Sequence, residues 1–142
     1  MSGVHAAVGF ATLAAAVIAA TWGGVAWLRG IPSTLFWPVL RIAQALVAVE
    51  VVFGLVLLAT GRKVPDGLHY FYGVAPLVVN VVAEGLRVNA AAAELEGIDD
   101  FDALTRKQQV LLARSIVMRE IGIMTIATLL VVTLLLRAAE IF

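Results

Sequence analysis

Residues 4–28 read VHAAVGFATLAAAVIAATWGGVAWL, a run that contains no Asp, Glu, Lys or Arg. A helix that spans a membrane needs about 20 consecutive, mostly apolar residues, so this run predicts a transmembrane helix. It lacks the basic beginning of a secretory signal peptide, and it is longer than the apolar centre of such a peptide. We therefore expect the run to be a spanning helix of the protein.

Three further apolar runs predict spanning helices at about 36–60, 67–87 and 118–139. Of the 142 residues, 62% are hydrophobic and 14% are charged, whereas soluble domains carry about 25% charged residues. The whole chain, 1–142, is predicted to form a single all-α domain. We expect an integral membrane four-helix bundle whose helices alternate up, down, up and down.

The segment 88–117, between the third and fourth runs, is the polar part of the chain. Its first part is rich in Ala and Glu and predicts a continuation of the third helix, which Gly97 would end. Asp99, Asp100 and Asp102 suit the start of the next helix, because carboxylates accept backbone N–H bonds there. The sequence therefore predicts a helical hairpin that projects from the membrane.

The basic residues are distributed unequally between the two ends of the predicted bundle. One end has Arg62, Lys63 and Arg137. The other end has a larger set: Arg29, Arg41, Arg87, Arg106, Lys107, Arg114 and Arg119. The cytoplasmic side of a membrane protein carries the excess of Lys and Arg. We therefore expect 88–117 to be cytoplasmic and both termini to lie on the outer side of the cell membrane.

The chain has two histidines, and each lies at the start of a predicted helix near the outer face. His5 begins the first helix and His69 the third, and these helices lie diagonally across an up-down-up-down bundle. Two facing imidazoles can supply both axial nitrogens of a b-type haem. Gly9 and Gly73, each four residues later, would leave space beside the rings, and Tyr72 shares the face of His69.

This arrangement resembles the four-helix membrane b-type cytochromes of the cytochrome b561 and haem A synthase type. The resemblance rests on the placement of the histidines and on the bundle, and no motif of those families is present. It implies one haem b, with His5 and His69 on the iron, and electron transfer to a quinone or a redox partner protein. A single histidine on each of two helices departs from the family pattern and allows at most one such haem.

A second interpretation of the histidines is that they lie at the level of the lipid head groups, as Trp and Tyr do. Counting helix rise from Arg29 and Arg87 places His5 about 9 Å further out than His69, which favours this second interpretation.

Glu50 lies near the middle of the second predicted helix, where a charged side chain costs several kcal/mol. Asn80 and Thr128 fall at a similar depth on their own helices. One hypothesis is a protonated Glu50 that is hydrogen-bonded to Asn80 or Thr128. The other is a proton relay or a contact to a polar substrate.

Five charged residues share a depth near the cytoplasmic end: Arg41, Glu84, Arg87, Arg119 and Glu120. They predict a collar of ion pairs between helix ends, and lipid phosphate binding by the arginines is the alternative.

Other function classes are excluded by composition or by the lack of a motif. Equal numbers of basic and acidic residues, 10 of each, give no reason to expect a nucleic-acid partner, and the lack of Cys excludes thiol chemistry. The sequence contains no HExxH, GxSxG or P-loop motif, so no motif in it predicts a hydrolase or a transferase. Three functions remain: a small membrane cytochrome, an accessory or scaffold subunit that docks through 88–117, or a small transporter or channel that uses Glu50. Any of these can act as a homo-oligomer or within a larger membrane complex.

Overall fold

The computed structural model describes residues 2–61 and 67–140, and over these residues the chain forms four α-helices. They are α1 Ser2–Leu28, α2 Phe36–Ala59, α3 Gly67–Leu95 and α4 Arg106–Ala138. All four are long and apolar enough to cross a membrane, so the predicted all-α fold with four apolar helices of spanning length is confirmed. The predicted positions of Arg62 and Lys63 lie outside the described residues.

The four helices pack around a common core. α1 packs against α2 and α4, and α3 packs against α4 and α2. α1 and α3 therefore occupy opposite corners of the bundle, as expected. The core is built from two clusters of buried apolar residues, one around Phe36 and Ile121 and the other around Val47 and Val131.

The connection between α3 and α4 differs from its prediction at the start of α4. Gly97 follows the end of α3 with a φ of +82°, which suits its predicted role as a helix terminator. α4, however, begins at Arg106 and not at the aspartates. The Thr105 hydroxyl accepts a hydrogen bond from the Gln108 backbone N–H at 3.4 Å, and the Gln108 side chain accepts one from the Thr105 N–H at 2.9 Å.

This reciprocal capping box satisfies two N–H groups that would otherwise be unpaired. The aspartates lie in the preceding loop instead, where Asp100 Oδ1 accepts a hydrogen bond from the Asp102 N–H at 2.9 Å. The predicted start of α4 was too early. The aspartates were expected to cap the helix, whereas the reciprocal hydrogen bonds of Thr105 and Gln108 cap it.

The polar extension is attached to the rest of the bundle by side-chain hydrogen bonds. Ser115 and Arg119 of α4 donate to the Glu94 carboxylate of α3 at 3.0 and 2.5 Å. Arg114 donates to the carbonyl oxygen of Gly30, in the α1–α2 connection, at 2.8 Å. The extension is thus continuous with the helices and is held against them.

Candidate functional site

A cavity of about 490 Å³ lies at one end of the bundle. It is lined by the beginnings of α1 and α3 and by the ends of α2 and α4, and most of its lining is apolar. His5, Glu50, His69 and Tyr70 supply side-chain polar groups to this lining. The cavity therefore combines an apolar enclosure with a few converging polar groups, which is typical of small-molecule and cofactor sites.

His5 and His69 face each other in this cavity. Their ring centroids are 6.2 Å apart, and the two ring planes meet at 72°. The predicted offset of about 9 Å between the depths of His5 and His69, which was counted from helix rise, is therefore wrong. The error lies in the reference residue, because Arg87 is not at the end of its helix. α3 continues to Leu95, and the Arg87 guanidinium lies over the Trp37 ring in the first turn of α2, 5.5 Å from its centroid.

Tyr72 does not line this cavity, although the sequence placed it with the cofactor residues. Residues 69, 70, 73 and 74 share the face of α3 that lines it. The Tyr72 ring packs edge-on against Phe71, with centroids 5.4 Å apart, and lies 5.8 Å from the Arg137 guanidinium. The tyrosine that lines the cavity is therefore Tyr70.

Glu50 approaches His5 and neither of the two partners predicted for it. Its Oε1 lies 2.9 Å from His5 Nδ1, although the two atoms are not aligned for a hydrogen bond. Its Oε2 is buried without a hydrogen-bond partner among the described residues. Thr128 donates instead to the carbonyl oxygen of Met124 in its own helix, at 2.7 Å, and Asn80 is buried on α3.

The glycines around the cavity have different roles. A Cβ on Gly9 would lie 3.1 Å from Glu50 Oε1, so the space at Gly9 is taken by a carboxylate and is not open beside the imidazole as predicted. A Cβ on Gly73 would meet none of the described atoms within 4 Å, so Gly73 leaves the expected space. Gly54 was not predicted as a site residue. A Cβ added to Gly54 would lie 3.9 Å from His5 Cε1.

The spacing of the two imidazoles suits a metal ion held between them. Metal–imidazole nitrogen bonds are about 2 Å long, so a metal with one ring on each side would separate the ring centroids by about 6 Å. Within the described part of the chain no three His, Cys, Asp or Glu side chains are grouped to hold a metal ion. A haem needs just two protein ligands, since its porphyrin supplies the others. No protein-family model, curated protein or solved structure matches this chain.

A second polar cluster lies towards the opposite end of the bundle and contains four of the five predicted collar residues. Arg41 and Arg87 both pair with Glu84, the latter at 3.0 Å, and Arg87 also pairs with Glu120 at 2.9 Å. Arg119 lies apart from this group and pairs with Glu94. Two arginines and two glutamates neutralise each other, which favours a role in helix packing over lipid phosphate binding.

Proposed function

We propose that the protein is a small membrane b-type cytochrome that binds one haem between His5 and His69. The observation that carries this proposal is that the only two histidines of the chain face each other, with ring centroids 6.2 Å apart. The cavity around them, about 490 Å³, falls within the range of about 300–1,000 Å³ that is usual for ligand sites. The proposal also follows the resemblance to four-helix membrane b-type cytochromes.

We further propose that the bundle crosses the cell membrane in an up-down-up-down arrangement with both termini outside. The support is the alternation of helix beginnings and ends around the cavity, together with the excess of basic residues at the opposite end. In this orientation the haem lies near the outer face. Electrons would then be exchanged there with a quinone or with a redox partner protein.

A bound haem supplies one-electron transfer chemistry, and the protein supplies its binding and its surroundings. His5 and His69 would hold the iron. The mostly apolar lining would lower the local dielectric around the haem, which is one of the means by which a protein sets a haem potential. Gly73 leaves room for the edge of a flat cofactor beside α3.

The test is the visible absorption spectrum of the purified protein before and after reduction with dithionite. We expect sharp bands of a low-spin b-type haem in the wild type, with haem content close to one per chain. The substitution His69→Ala removes an iron ligand and is expected to lower haem affinity by more than about tenfold. Tyr70→Phe, which changes a cavity residue that is not a proposed ligand, should keep the spectrum. A wild-type protein that stays colourless when it is expressed or reconstituted with excess haem rules the proposal out.

A second candidate function is transport through the bundle by way of Glu50. The observation that favours it is that Oε2 of Glu50 is buried at the cavity without a hydrogen-bond partner among the described residues. An ionisable residue within a membrane often marks a path for protons or ions. This function predicts a colourless protein in which Glu50→Gln abolishes proton or substrate flux into vesicles while the fold is kept. Haem in the purified protein, together with unchanged flux in Glu50→Gln, would exclude it.

A further inference from the structure

We infer that Glu50 is a positioning residue for His5, directing Nδ1–H of the ring at its carboxylate and Nε2 at the haem iron. This inference rests on the proposed cytochrome function. Glu50 would act on the haem through its ligand His5, and its carboxylate would lower the midpoint potential of the haem.

The contact between the two residues already has the required length. His5 Nδ1 and Glu50 Oε1 are 2.9 Å apart, which is the usual distance of an N–H···O hydrogen bond. The N–H and the oxygen are not aligned for a hydrogen bond in the structure, so the inferred contact requires the imidazole to turn towards Glu50. Histidines that bind a metal almost always donate their other ring N–H to a carboxylate, a carbonyl or water, and this contact sets both the tautomer and the orientation of the ring.

The carboxylate is held close to the ring by its surroundings. The side chains of His5 and Glu50 are 24% and 14% exposed. The absence of a side chain at Gly9 leaves the space that Glu50 Oε1 occupies. Because Oε2 has no hydrogen-bond partner among the described residues, His5 is the one polar contact of Glu50 that the described structure shows.

The cavity is asymmetric with respect to its two histidines. Among the described residues that line it, Glu50 is the one carboxylate, and no Lys or Arg lines it. In the described part of the chain, Arg137 is near this end of the bundle, and its guanidinium lies beside the Tyr72 ring, which does not line the cavity. We expect His5 to be the stronger electron donor of the two ligands, because hydrogen bonding to a carboxylate raises the basicity of an imidazole.

The decisive measurement is a redox titration of the haem-loaded protein, compared between wild type, Glu50→Gln and Glu94→Gln. A carboxylate that accepts the Nδ1–H of a ligand stabilises the oxidised iron. Glu50→Gln is therefore expected to raise the midpoint potential and to weaken haem affinity by about 10- to 100-fold. Glu94→Gln makes the same chemical change at the opposite end of the molecule, so it should leave both quantities unchanged.

A second measurement does not depend on haem. Nitrogen-15 NMR of the histidines in the full-length, haem-free protein reports which ring nitrogen carries the proton. We expect His5 to be the Nδ1–H tautomer in the wild type and to lose this preference in Glu50→Gln. Gly9→Ala is a second variant that keeps Glu50 but displaces its carboxylate, and it should shift the potential in the same direction.

The outcomes separate this inference from the function on which it rests. A haem-loaded wild type whose potential and affinity are the same in Glu50→Gln and Gly9→Ala overturns the role of Glu50 and leaves the cytochrome intact. A wild type that binds no haem overturns the cytochrome and, with it, the proposed effect of Glu50 on the haem potential. In that case the tautomer measurement still decides whether Glu50 orients the His5 ring.

Discussion

At the residue scale, glycine is required at two positions where α1 packs against α4 and α2. A Cβ on Gly122 of α4 would lie 2.8 Å from Nε1 of Trp27 in α1. One on Gly23 of α1 would meet the Thr125 hydroxyl of α4 and would lie 2.5 Å from the Phe36 ring of α2. These distances are shorter than a van der Waals contact, so an added methyl group would force a helix, the buried Phe36 ring or the partly exposed Trp27 ring to move. Both positions are towards the end of the bundle opposite the histidines, where α1 and α4 need close packing.

The substitution Gly122→Ala tests this close packing. Overfilling a well-packed site costs about 1–3 kcal/mol, and we expect a loss of that size, seen as a lower midpoint of thermal unfolding in detergent. The matched control is Gly85→Ala on the exposed face of α3, where a Cβ would meet none of the described atoms within 4 Å. Because Ala is favoured over Gly inside a helix by about 0.5–1 kcal/mol, Gly85→Ala should keep or raise the unfolding midpoint. Equal behaviour of the two variants would show that Trp27 does not pack on Gly122.

The sequence predicted some of the site residues and missed their partners. The histidines were found because two rare residues began two helices at the same end, a signal that does not depend on side-chain detail. The contact between His5 and Glu50 could not be found in the same way, because it depends on how far α1 slides along α2. That register is decided by the packing of small residues such as Gly9 and Gly54, which hydropathy does not reveal.

At the element scale, the start of α4 is defined by its capping box. Thr105 and Gln108 satisfy each other's backbone N–H groups, and the helix continues from there without a break to Ala138. Helices α1 and α2 were predicted almost to the residue, because long apolar runs and their Gly and Pro boundaries decide both ends. Where the chain leaves the apolar region, hydropathy no longer marks a boundary, and the cap decides it.

Replacing the cap should loosen the first turn of α4 without unfolding the bundle. Loss of an N-cap Ser or Thr costs about 0.5–2 kcal/mol, so Thr105→Ala should speed amide hydrogen exchange in the first turns of α4. Thr133→Ala is the matched control, because the Thr133 hydroxyl only donates to the Leu129 carbonyl of its own helix at 3.0 Å. This control should leave exchange in that region unchanged. If Thr105→Ala leaves exchange at the start of α4 as slow as in the wild type, another group caps the helix.

At the scale of the whole molecule, the two ends of the bundle carry different chemistry. One end holds the cavity with His5, His69 and Glu50. The other end holds the ion pairs around Glu84 and the polar extension with its basic residues. Because a bilayer favours polar groups at its two surfaces, this difference between the ends would give the proposed transmembrane bundle a direction across the membrane.

The direction is testable because the chain has no Cys, so single cysteines can be labelled without background. Gly3→Cys, at the cavity end, and Asp99→Cys, in the α3–α4 connection, are both at exposed positions. We expect a membrane-impermeant maleimide to label Gly3→Cys in intact cells and to label Asp99→Cys only after the membrane is permeabilised, because Lys and Arg accumulate on the cytoplasmic side. The reverse pattern would place the histidines near the cytoplasm. Labelling of both positions from outside would contradict the alternating four-helix arrangement itself, since an odd number of crossings must separate residues on opposite sides.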